Sequence, residues 1–172
     1  MSAEKERIKV SEELLDRLVE TQVPELIFVE DCPSADKIMI ALNIVSYITF
    51  HLDKPVAFFS LEESKEQFVC RMLCSEGAID SQCLRNGDLD DEEWNHLITT
   101  AECVMNAPVF IDDTQGITVE KICSKVRNAK EKHNISLIVI DNLQLVNCSE
   151  QVDIRQQLQT LAQEINVPVV VL

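Results

Sequence analysis

The sequence predicts an α/β fold: a mainly parallel, five-stranded sheet with helices on both faces. Short apolar runs rich in β-branched residues recur at 25–30 (ELIFVE), 55–60 (PVAFFS), 107–112 (APVFID), 137–141 (LIVID) and 167–172 (VPVVVL). Longer stretches with helical spacing separate them, at 36–51, at 64–75 paired with 90–106, at 118–133 and at 150–165. The runs are apolar throughout rather than at every second residue, so both faces of each strand are expected to be buried. That is the habit of parallel sheets sandwiched between helices.

Taken in order, residues 11–22 (SEELLDRLVETQ) form an amphipathic segment with Leu14, Leu15, Leu18 and Val19 on one face. We read residues 1–24 as an N-terminal extension and 25–172 as one domain. Ser64 followed by Gln67, and Asp90 followed by Glu93, have the spacing of capping boxes. Thr118 is placed to cap the helix through Val119 and Ile122. Pro55, Pro108 and Pro168 each precede a strand, where a missing N–H costs little. Trp94 is expected to anchor its helix to the core. Cys70 and Cys74, four apart beside Phe68, Met72 and Leu73, are expected to fill core space rather than to hold metal.

Composition narrows the function. A formal net charge of −15 opposes non-specific attachment to DNA or RNA. The densest basic stretch, KVRNAKEKH at 125–133, reads as a solvated helix face. The seven cysteines contain no CxxC pair and no zinc-finger spacing, so free thiols and a cytoplasmic location are expected. No apolar run approaches the ~20 residues that span a bilayer, and no metal-ligand set is read.

In open α/β sheets ligands bind at the carboxyl ends of the strands. Those ends carry 31–37, Ser60 to Glu63, Asp112-Asp113 and Asp141-Asn142. A lysine after the first strand and carboxylates after the others are the layout of a nucleotide site.

Blocks along the chain carry a resemblance. CPSADKIMIALNIV (32–45), DKPVAFFSLEESKEQFVCRML (53–73), LRNGDLDDEEW (84–94), VFIDDTQGITVEKI (109–122), LIVIDNLQLV (137–146) and LAQEINVPVVVL (161–172) stand in one order. Together they resemble the C-terminal, RecA-like ATPase domain of DnaB-type replicative helicases. The resemblance implies a RecA-like P-loop NTPase fold, with the strand at 167–172 lying between those at 137–141 and 25–30. Lys37 then stands for the phosphate-binding lysine, with Ser34 beside it in the loop. Glu62 stands for the glutamate that activates water, Asp141 for the carboxylate that supports Mg²⁺, and Gln144 for the glutamine of the LQL stretch. It also implies that the segment after Asp141 contacts DNA in the family. Arg155 is the only basic residue in 142–157.

The loop departs from the motif G-x-x-x-x-G-K-[ST], whose glycines let backbone N–H groups wrap phosphates. Asp31 and Asp36 stand at the glycine positions, and Ile38 stands where a hydroxyl would reach Mg²⁺. One carboxylate ~5 Å from a phosphate, at an effective dielectric of ~20, costs roughly 3 kcal/mol, or about a hundredfold in affinity. The expected function is therefore a catalytically degenerate helicase relative that binds no ATP or Mg²⁺. It would act through protein contacts with a replicative helicase, a loader or itself. The alternative is an active or weakly active ATP-dependent DNA helicase fragment, for which Glu62, Asp141 and Gln144 speak. A nucleic-acid-binding module fits the charge poorly.

Overall fold

The computed structural model describes residues 24–29, 34–147 and 153–172, and side chains in the first helix from Lys37 onward. The amphipathic segment 11–22 and Asp31 lie outside the described residues, as do the side chains of Ser34 and Asp36.

The strands are β1 (Leu26–Phe28), β2 (Val56–Ser60), β3 (Val109–Asp112), β4 (Leu137–Asp141) and β5 (Val169–Val171). They form one five-stranded sheet in the order β1-β5-β4-β2-β3. Every pairing is parallel. The expected insertion of the last strand between the first and fourth is what the sheet shows. The three inner strands are buried at every position, whereas β1 and β3 at the edges are half-buried.

The alternation of side chains across a strand divides the core in two. Val56, Phe58, Leu137, Val139 and Val170 face one side. There they meet α1 (Ser34–Ser46), α2 (Lys65–Glu76) and α4 (Asp91–Asn106). Ala57, Phe59, Ile138, Ile140, Val169 and Val171 face the other side. There they meet α5 (Val119–His133) and α6 (Ile154–Ile165). Phe58 and Phe68 link β2 to α2 with ring centroids 4.2 Å apart.

Local signals set the element ends. Ser64 with Gln67 and Asp90 with Glu93 both form reciprocal capping boxes. The Thr118 hydroxyl accepts from the Lys121 N–H at 3.4 Å. Only three glycines exist in the chain, and asparagine takes several left-handed positions instead. Asn134 (φ 51) and Asn166 (φ 53) end α5 and α6 in that conformation. The prolines before β2, β3 and β5 give up only an N–H, and their carbonyls accept from the N–H groups of Ser136, Val56 and Ile138.

Some expectations need correction. A six-residue helix, α3 (Ser81–Asn86), interrupts the stretch read as a plain connection. Asp80 caps it by accepting from the Gln82 and Cys83 N–H groups, and Gly87 (φ 75) ends it. Trp94 does not anchor α4, being 44% exposed. Cys70 faces solvent and Cys74 is half-buried, while Phe68 and Met72 fill the core on that helix. The helical period shows which residues share a stripe, not which stripe meets the sheet. Finally, α1 closes with a wider turn of the π type at Tyr47–His51, within the helical stretch expected.

The fully buried Phe68 should dominate the first core half. Phe68→Ala is expected to cost about 3–5 kcal/mol in urea denaturation, against about 1 kcal/mol for removing the Ser64 cap as Ser64→Ala.

Candidate functional site

Parallel register places the candidate residues. Ser60 pairs with Asp141 across β2 and β4, so the peptides that follow leave the sheet side by side. Glu62 follows from one and Asn142 from the other. The Asn142 side-chain amide donates to the Glu62 carboxylate at 3.2 Å. Asn142 holds φ 66, a left-handed conformation that asparagine tolerates better than most residues. The next residue along β2's exit, Glu63, accepts two bonds from the Arg71 guanidinium at 2.8 and 2.6 Å. The Glu63 carbonyl accepts from the Ser60 hydroxyl at 2.7 Å, which tightens the turn after β2.

Asp141 is the chemically unusual member. It is 3% exposed. Burial first, then the negative charges of Glu62 and Glu63, push its pKa up to about 6, and Lys37 partly offsets them. The structure therefore brings Lys37, Glu62 and Asp141 within electrostatic reach of one another. Gln144 stands on the 3₁₀ turn that follows, with its side chain exposed.

Ile38 is placed differently from a metal-facing residue. It is 8% exposed and belongs to the apolar cluster under α1. The donor set for Mg²⁺ thus lacks the hydroxyl, and Asp141 is surrounded by like charge. These residues fit a nucleotide-bound Mg²⁺ poorly.

The acids after β3 serve the fold. Burial alone would raise the pKa of Asp112. Lys125, with the hydroxyl and N–H of Thr114, holds it below the usual range. Asp113 accepts from the Lys65 N–H at 3.0 Å, tying this loop to the start of α2. Arg155 rests over the Phe28 ring at 4.1 Å, a cation–π contact with the edge strand. Arg71 carries no motif signal in the sequence, and its pairing with Glu63 emerges only when α2 folds back over the turn.

Two concavities lie away from this cluster. One of about 300 Å³ sits at the amino ends of the strands beside Lys54, Pro55 and Pro168. The other, about 450 Å³, separates α5 from α6 near Glu120 and Gln156.

A model of the DnaB-like helicase C-terminal domain family matches residues 9–172. The chain belongs to this family. Among similar proteins, the replicative DNA helicase DnaC of Bacillus subtilis (strain 168) is 40% identical over 168 residues, covering 92% of this chain and 37% of that protein. The replicative DNA helicase DnaB of Geobacillus stearothermophilus is likewise 40% identical over 168 residues, with the same coverage. The chain therefore spans 37% of the length of these relatives. Among solved structures, a phage-type helicase relative described as an ATPase domain superposes with a TM-score of 0.79 at 26% identity, over 86% of this chain and 56% of that one. A DnaB-like replicative helicase, studied for its interactions with primase, superposes with a TM-score of 0.74 at 26% identity, over 85% of this chain and 37% of that one. The fold of this DnaB-like domain is thus RecA-like, with Asp141 at the end of β4 and Glu62 just past the end of β2.

The raised pKa of Asp141 has a measurable sign. A buried carboxyl group of this kind destabilises the fold when ionised. The penalty is complete above about pH 6, shrinks as pH falls, and is gone below the unfolded value of about 4. Asp141→Asn removes it. The variant is expected to gain about 2 kcal/mol at pH 7.5 and almost nothing near pH 4, read from thermal melts across that range.

Proposed function

We propose that this DnaB-like domain is a catalytically degenerate relative of the replicative-helicase ATPase domain. It keeps the RecA-like shape, does not hydrolyse ATP, and acts in DNA replication through protein contacts. The observation that carries this reading is Ile38. Its side chain is packed into the core, 8% exposed, at the position where the motif supplies a hydroxyl to Mg²⁺. Asp31 and Asp36 add negative charge where the motif has glycine. Asp141 would have to hold the metal with Glu62 and Glu63 already crowding it. The family's DNA-contacting segment offers only Arg155 as a cation, and that guanidinium stacks on Phe28. With a net charge of −15, the domain is poorly suited to grip DNA by itself. The partner is a protein: a replicative helicase, a helicase loader or a second copy of the chain. The proposed setting is the cytoplasm. Separately, no described helix is long and apolar enough to cross a membrane.

A second reading, a weakly active ATPase and helicase fragment, draws support from the convergence of Lys37, Glu62 and Asp141. It requires ATP turnover that collapses in Lys37→Ala.

Calorimetric titration with Mg-ATP separates the two. No heat of binding is expected for the natural chain, and no change in melting temperature. Micromolar affinity would overturn the proposal. In the double variant Asp36→Gly, Ile38→Thr, partial binding is expected to return, limited by Asp31. That variant should also lose about 1–3 kcal/mol of stability, because a hydroxyl replaces a buried apolar group.

A further inference from the structure

We infer that the outer face of α4 is a docking surface for an amphipathic helix with basic flanks, carried by another protein. The inference rests on the contact-making role proposed above and names the surface that would serve it.

α4 has two neighbouring apolar stripes. Leu97, Thr100 and Val104 turn inward, with Val104 in the core cluster that also holds Phe68 and Met72 of α2. Trp94, Ile98, Ala101 and Met105 fall on the other stripe, within about 60° of arc at 3.6 residues per turn. Trp94 is 44% exposed, Ile98 56% and Met105 83%. These are three of the four large apolar side chains that stand exposed among the described residues; the fourth, Leu145, is elsewhere. Single exposed apolar residues are ordinary, but a contiguous run on one helix face marks an interface. Its spacing matches the i, i+4, i+7 anchors by which helices pack on one another.

Charge selects the occupant. On the solvent side the stripe is bordered by Asp91 and Glu102, both exposed. More acid gathers at its amino-terminal end. The nearby Cys83 thiol is pushed up by burial and then by Asp80, Glu93 and Asp88. The amphipathic segment of this chain at 11–22 carries Glu12, Glu13, Asp16 and Glu20 against Arg17 alone. A second copy offering that segment would meet like charge. A helix with an apolar stripe and Lys or Arg at its edges meets both features. An anionic membrane surface meets only the first.

Trp94 is the only tryptophan in the chain, so its fluorescence reports this stripe alone. The intact chain is expected to emit as a water-exposed indole. A synthetic helical peptide with a leucine stripe flanked by lysines should shift the emission to the blue, saturably and less strongly as salt rises. The same peptide with glutamate in place of lysine should bind at least about tenfold more weakly. Glu102→Lys should narrow that preference. Ile98→Ser with Met105→Ser should abolish the response without altering the melting temperature.

The inference is overturned if the lysine peptide gives no shift, or if both peptides act equally. It is also overturned if the free chain already emits as a buried indole, whether at every concentration or only as concentration rises, because the stripe is then covered by this chain or its copy. The Mg-ATP titration reads a different part of the molecule. Binding of nucleotide would remove the degenerate reading and leave the tryptophan result standing, and the converse also holds.

Discussion

Burial of β2, β4 and β5 on both faces at once constrains everything else in this domain. Their side chains are largely branched or aromatic because no residue of these strands faces water. Once both faces are apolar, helices must cover both, and polar groups are driven to the strand ends. The register is equally constrained, because a slip by one residue would exchange the two core halves, putting Phe58 where Ala57 now sits. The pairing of Ser60 with Asp141 is therefore a packing result. Glu62 and Asp141 lie together because the sheet requires it. A relative can lose nucleotide chemistry and still hold these carboxylates in place.

That separation of shape from chemistry explains the mixed character of the site. Its parts that are anchored by the core survive: the strand ends, the turn closed by Ser60 and Glu63, and the lysine that follows β1. Its parts that depend on bare loop chemistry have changed, with Asp36 and Ile38 flanking that lysine. The carboxylates are then managed by neighbouring donors. Arg71 neutralises Glu63, and the Asn142 amide takes one oxygen of Glu62. Asp141, buried among these acids, is left with the partial offset of Lys37. Its environment is suited to a neutral group more than to an ion bound to a metal.

The outward face follows the same logic. Helical company alone puts Trp94 and Cys70 inside, since each has apolar neighbours at helical spacing. Both are outside because their helices present more than one apolar stripe, and α2 and α4 settle against the core through only one. For α4 that stripe contains Val104, whose side chain joins the cluster around Phe68. The other stripe, with Trp94 and Met105, is what remains for a partner. α3 is too short to show a period in the sequence. Only its brackets, Asp80 and Gly87, hint at it.

Strand and helix order, helix caps and family membership are legible in the amino-acid string alone. Each is encoded within a few residues: an apolar run, a Ser64–Gln67 or Asp90–Glu93 spacing, a lysine after a strand. Folding in three dimensions was needed to bury Asp141 beside Glu62 and Glu63, to lay Arg155 on Phe28, and to leave an apolar stripe of α4 in solvent. Burial and pairwise charge depend on groups far apart in the chain, such as Asn142 and Glu62, which are 80 residues apart and meet only when the sheet is assembled.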